Sequence, residues 1–229
     1  MKPFDFQTYI APFLPHLPKE SRLSHLKFLE EVIPQLVALN QPLYCVETGA
    51  MHTESSQQAG SYTLMLATLI RDWTGGKLWT VDCDAGALEK CRRLTREFEG
   101  VIEYVCADSV SFLAAQPLAW VRRLNLVLLD SWDLDVFDPL PSQIHHLREL
   151  LAVVENLRDC VVAVDDNFLP GCWVDVFYGD GTVRRFETGE SHVGKGTLVR
   201  RFLLDRGWTQ GFEGVVGHNN LFWFQPPTT

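Results

Sequence analysis

The sequence predicts an α/β fold: a Rossmann-like three-layer sandwich on a mostly parallel sheet of about seven strands, with an antiparallel last strand and a helical N-terminal extension. Three observations predict it. Short apolar runs alternate with helical patterns from Leu43 to Asp166. These runs are apolar almost throughout, as strands covered on both faces must be. The last two runs, "WTQGFEGV" and "NLFWFQ", are separated only by "VGHNN". That link is too short for a parallel crossover, so the two are antiparallel neighbours.

Bulk properties narrow the class. A chain of 229 residues, 46% hydrophobic and 21% charged, suits one sizeable domain with a full core. A net charge of −9 argues against a nucleic-acid partner, because phosphate binding relies on clustered Lys and Arg. Six cysteines show no C-x-x-C spacing, and Cys45, Cys106 and Cys160 fall in strand-like runs. Buried free thiols in a reducing cytosol explain this pattern, so a cytoplasmic location is expected. No stretch is long and apolar enough to suggest a membrane partner.

Residues 1–40 form a preface. "FDFQTYIAPFLPHLP" is rich in aromatics and proline, and "SRLSHLKFLEEVIPQLVALN" carries apolar residues at helical spacing with Ser21 or Ser24 as a cap. The segment is expected to be a lid, a homodimer contact or a cover for one edge of the sheet. Strand "LYCVET" then leads to helix "YTLMLATLIRDW", "KLWTVD" to "AGALEKCRRLTREF", "VIEYVCA" to "SVSFLAAQ", and "LNLVLLD" to "PSQIHHLRELLAVVEN". "CVVAVDD" closes the parallel series. "WVDVFYGDGTVRRFE" reads as a hairpin about Gly179–Gly181, and "KGTLVRRFLLDRGW" as a helix.

Ligands of open parallel sheets bind beyond the carboxyl ends of the strands. The residues there are Glu47-Thr48-Gly49-Ala50, Asp82-Cys83-Asp84, Ala107-Asp108-Ser109, Asp130 to Asp133, and Asp165-Asp166-Asn167. An acid ends or follows every one of the five strands, which suggests a polyhydroxylated, cationic or metal-bound ligand. Asp82 is placed to accept from ribose hydroxyls, since Asp84 serves better as the cap of the next helix. Asp108 and Ser109 either meet an adenine edge or cap a helix. Gly49 lets the backbone approach a ligand closely. Glu47, in a buried strand end, is costly unless paired.

These positions resemble the class I S-adenosylmethionine-dependent methyltransferases, from about Leu43 to Phe224. "VETGA", "WTVDCDAGALEKC" and "VCADSVSFL" match the family's first three motifs, and the antiparallel final pair is the family's ending. The resemblance implies a methyltransferase domain over 41–229. It implies that Glu47, Thr48, Gly49, Ala50, Gly60, Ser61, Asp82, Cys83, Asp108, Ser109 and Asp130 hold the cofactor. The stretch Met51–Ala59 departs from the family in being longer than its turn.

"NLVLLDSWDLD" and "VVAVDDNFLPG" further resemble the metal-binding segments of the catechol-type and sugar O-methyltransferases. That implies a divalent ion, Mg²⁺ or else Ca²⁺ or Mn²⁺, on Asp130, Asp166 and Asn167, with Asp165 as the alternative ligand. It also implies a small hydroxylated acceptor activated on that ion. Where the catechol enzymes place a lysine base, this chain has Asp133, so Asp130 and Asp133 are the catalytic candidates. Trp132, Phe168 and Trp173 are candidate walls of an acceptor pocket. His145 and His146 read as surface residues of a helix, and His192 and His218 as loop residues near the mouth.

Two other readings compete. A nicotinamide-binding oxidoreductase shares the first half of the fold, but G-x-G-x-x-G is absent. "GESHVGKGT" nearly fits a phosphate loop through Gly189, Gly194 and Lys195, yet Gly196 stands where a hydroxyl is required.

Overall fold

The computed structural model describes residues 3–17, 23–51 and 62–227. Gly60, Ser61, Ser21 and nearly all of the long loop after the first strand lie outside the described residues. After the short helix α1 (Phe6–Ile10) comes α2 (Leu23–Ala38). The alternating series then follows as β1 (Leu43–Thr48), α3 (Tyr62–Leu69), β2 (Gly76–Asp82), α4 (Ala85–Leu94), β3 (Ile102–Cys106), α5 (Ser109–Ala114), α6 (Leu118–Val121), β4 (Leu126–Leu129), α7 (Leu140–Val153) and β5 (Val161–Phe168). The tail holds β6 (Trp173–Phe177), β7 (Val183–Glu187), β8 (Val193–Gly194), α8 (Thr197–Leu204), β9 (Thr209–Gln210) and β10 (Asn220–Gln225).

The main sheet runs β3-β2-β1-β4-β5-β10-β9, with β8 added on β5. The first five strands are parallel, and β10 is antiparallel to both β5 and β9. The expected antiparallel ending is therefore present, although β9 shrinks to two residues. The predicted hairpin forms a separate two-stranded sheet of β6 and β7. Strand order reverses between β1 and β4, and in such sheets a crevice opens at that point.

Side chains alternate between two cores because successive strand residues face opposite sides. Cys45, Leu128, Ala163, Leu221 and Trp223 pack on one face with α2 and α3, through Phe28, Ile33 and Leu66. Val46, Val127, Val162, Phe222 and Phe224 pack on the other with Leu150 and Val153 of α7 and Val199 and Leu203 of α8. Asp84 caps α4 by accepting the Gly86 N–H, and Asp108 caps α5 by accepting the Ser111 N–H. Cys106 differs from expectation: it is exposed, because it ends its strand at the open edge of the sheet, as is Cys83 beside it. No helix among the described residues is long and apolar enough to cross a membrane.

The N-terminal helix is welded to the core. Phe28 lies edge-on to Tyr62 and Trp223, at 6.0 and 5.8 Å between ring centroids. Ser24 is not a cap; it sits inside α2, where its hydroxyl accepts the Leu221 N–H at 2.9 Å.

Glu47 is buried beneath the sheet's open edge, 3% exposed, and accepts hydrogen bonds from Thr63 at 2.6 Å and Thr80 at 3.2 Å. It ties β1 to β2 and to the start of α3. Burial pushes its carboxyl from 4.5 up to about 7, against the pull of both threonines.

Two outcomes follow from this packing. Phe28→Ala should cost about 3–5 kcal/mol in urea unfolding, in one cooperative transition; a detachable lid would lose far less. Because folded Glu47 holds its proton more tightly than the unfolded chain does, its contribution is complete below about pH 4.5 and lost as pH rises through about 7. Wild type should therefore lose on the order of 3 kcal/mol relative to Glu47→Gln across that window. Parallel stability–pH curves for the two proteins would show that Glu47 does not titrate in this range.

Candidate functional site

A pocket opens at the carboxyl ends of the parallel strands, with about 350 Å³ of space including its mouth. Its lining is Val81, Asp82 and Cys83 from the end of β2, Ala107, Asp108 and Ser109 from the end of β3, Ser131 and Trp132 after β4, and His145 of α7. Three strands thus deliver to one place residues that lie far apart in the chain. Asp82 organises the rim: one carboxylate oxygen accepts the Ala50 N–H at 2.9 Å, the other the Asp84 N–H at 2.8 Å. Each oxygen retains a lone pair for a ligand hydroxyl. Asp108 both caps α5 and lines the pocket, so the two readings of that residue are compatible.

His145 and His146 are not surface residues. His145 accepts or donates to Ser109 Oγ at 3.1 Å and lies 3.5 Å from Glu149, with its ring 5.1 Å from that of Trp132. Fully buried His146 meets the Ser142 carbonyl at 2.7 Å, and burial pushes its imidazole down to about 4. Helix α7 misleads a pattern reader because it turns Ser142, Gln143, His146 and Glu149 inward and leaves Leu140, Ile144 and Leu151 exposed. Glu149 is held ionised inside by His145, His146, Ser109 and Ser131, which outweigh its burial.

Beyond Ser131 lies a charged cluster. Lys195 Nζ meets Asp130 Oδ1 at 2.5 Å and Asp166 Oδ2 at 2.8 Å. The lysine is 3% exposed, and the two carboxylates 31% and 34%. Burial alone would lower the lysine, but the two carboxylates win and raise it. Asp130 is pushed up by burial and by Asp165 and Asp166, with Lys195 pulling the other way. Asp165 pairs with His25 of α2, Nε2 to Oδ1 at 2.9 Å.

Local backbone geometry builds this cluster. Asp166 adopts φ 55°, a left-handed conformation rare outside glycine, and Asn219 donates to its Oδ1 at 2.5 Å. Gly194 and Gly196 flank Lys195 where the β8 turn presses on β5. A Cβ at Gly194 would lie 2.4 Å from the Asp166 carbonyl oxygen, and one at Gly196 2.8 Å from Asn167 Oδ1. Gly49, with φ 87°, is equally constrained: a Cβ there would stand 2.4 Å from the Asp130 carbonyl oxygen. The first loop and the charged cluster are therefore in backbone contact.

The residues assigned to a divalent ion do not fit one. Asn167 is fully buried and fully used: its Nδ2 donates to the carbonyls of Val164, Asp165 and Asn220, and its Oδ1 accepts the Gly196 N–H at 2.7 Å. It is a backbone brace and not a metal ligand. Asp130 and Asp166 close on an ammonium and not on an ion site, and Asp165, the alternative ligand, is taken by His25. Among the described residues no cluster of three or more His, Cys, Asp or Glu has metal-binding geometry.

The remaining candidates divide. Thr48 is buried, its hydroxyl accepting the Asp130 N–H at 3.2 Å, and Ala50 is also buried, its N–H donating to Asp82. Asp133 is exposed on the loop after β4. Of the three aromatic candidates, Trp132 lines the pocket, Phe168 packs into the core, and Trp173 borders a separate cavity with Arg185 and Glu187. His192 lies 3.4 Å from Glu213. Lys195 stands in "VGKGT", where the sequence resembles a phosphate loop, but its ammonium is spent on carboxylates.

No family model matches the chain, and no curated protein does. Solved structures do. The DhpI–SAH complex superposes with a TM-score of 0.53 at 15% identity, over 97% of this chain and 92% of that one. The MycE methyltransferase of the mycinamycin biosynthetic pathway, in complex with Mg, SAH and mycinamycin VI, superposes with a TM-score of 0.54 at 12% identity, over 98% of this chain and 55% of that one. With the sheet order and the antiparallel β10 in hand, the chain has the Rossmann-like fold of these two SAH-bound structures.

Proposed function

We propose that this chain is an S-adenosylmethionine-dependent methyltransferase acting on a hydroxyl of a small molecule. The observation that carries the reading is the pocket that joins Asp82, Asp108, Ser109, Trp132 and His145 at the carboxyl edge of the sheet. Its chemistry suits a nucleoside. Asp82 offers carboxylate lone pairs to the ribose hydroxyls, Asp108 and Ser109 offer polar atoms to a base edge, and Trp132 with His145 offers an aromatic wall.

S-adenosylmethionine, when bound, supplies an electrophilic methyl group on a sulfonium. The chain's residues do the rest. Asp82 and the ends of β2 and β3 hold the nucleoside. Gly49, free of a Cβ, keeps the first loop against the Asp130 backbone. Asp130, one residue before the pocket-lining Ser131, is the group we assign to take the proton from the acceptor hydroxyl. The Lys195 ammonium beside it keeps a carboxylate at that position. Three carboxylates, Asp130, Asp165 and Asp166, share one ammonium and one imidazole, and this negative surplus favours a cationic donor over a neutral one.

The rival nicotinamide reading uses the same rim, so ligand choice separates them. Isothermal calorimetry with S-adenosylhomocysteine, NAD and ATP in turn should give saturable heat with the first alone. Asp82→Ala should weaken that binding about 10- to 100-fold, the scale of hydrogen bonds to a charged group. Heat with NAD and none with S-adenosylhomocysteine would make the chain an oxidoreductase fold-mate instead.

A further inference from the structure

We propose that Lys195 is the built-in cation of this site: its ammonium stands where two strand-end carboxylates would otherwise hold a divalent ion, and it fixes Asp130 and Asp166 for a metal-independent reaction. This deepens the methyltransferase reading and rests on it for the role of Asp130.

Three observations converge on it. The ammonium is shared between Asp130 at 2.5 Å and Asp166 at 2.8 Å, so it is the common counter-ion of carboxylates from two neighbouring strands. The loop that carries it is built to deliver it: the Lys195 N–H meets the Asp166 carbonyl at 3.2 Å, and neither Gly194 nor Gly196 has room for a Cβ. Asn167, the third ligand that a divalent site would need, spends its amide bracing this same loop through the Gly196 N–H. One residue thus excludes itself from metal binding in the act of positioning the lysine.

The electrostatics are consistent. A buried ammonium is costly in isolation and tolerable when two carboxylates share it. Remove it, and two half-exposed carboxylates at close range are left without their counter-ion. Hard divalent ions take that kind of oxygen donor set, completing the shell with water. Lys195 acts through Asp130 and Asp166, so it is a positioning residue.

The test is calorimetric titration of the full chain with MnCl₂ alone, without nucleoside, so that failure here is separable from failure to bind S-adenosylhomocysteine. Wild type should show no saturable Mn²⁺ binding. Lys195→Met, which keeps the stem and removes the charge, should gain a site with a dissociation constant of roughly 10⁻⁴–10⁻³ M. Adding Asp166→Asn to that variant should abolish it. A folded Lys195→Met protein that binds no Mn²⁺ would overturn the proposal. So would Mn²⁺ binding by wild type that disappears in Asp166→Asn, and this second arm decides the matter even if Lys195→Met fails to fold. A purely structural lysine would alter stability without creating metal affinity.

Discussion

The ion triplet of Lys195 with Asp130 and Asp166 is the interaction on which the rest of the site depends. It adds a side-chain clamp at the carboxyl ends of β4 and β5 and the β8 turn, three segments already joined by ladder hydrogen bonds. Exposed ion pairs are worth little, but here the cation is 3% exposed and water competes poorly for it. The backbone is shaped around it, with the left-handed Asp166 on one side and two glycines without room for a side chain on the other. Strain of that kind persists where the surroundings over-determine it.

The nucleoside pocket and the charged cluster are one construction. Asp130 closes the cluster, its backbone carbonyl abuts Gly49, and the next two residues line the pocket. Thr48 couples them again through the Asp130 N–H. Behind this layer, His25 of α2 reaches Asp165, so the N-terminal helix supports the charged end of the site from below. A shift of β1 relative to β4 would therefore disturb both ends together.

Much of this was legible in the sequence, for a physical reason. In a parallel sheet all strand ends share one edge, so an acid at each end places Asp82, Asp108 and Asp130 near one another without any knowledge of side-chain geometry. Capping chemistry likewise assigned Asp84 correctly. What stayed hidden depends on contacts distant in the chain. Asp166 and Asn167 look alike as oxygen donors, and only the approach of Gly196 shows that Asn167 is spent on backbone. Lys195 lies 65 residues from Asp130, so nothing local marks it as that residue's partner. On α7, His146 and Glu149 are buried on the same face as Leu150 and Val153 while Ile144 and Leu151 are exposed, so the apolar stripe alone does not mark which polar residues turn inward.

A crystal structure of the chain grown with S-adenosylhomocysteine and MgCl₂ tests the ion triplet and the nucleoside pocket together. The adenosine should lodge between Asp82 and Trp132, with Lys195 Nζ still bridging Asp130 and Asp166. An ordered magnesium ion on those two carboxylates with the lysine swung away, or adenosine bound elsewhere, would contradict this arrangement.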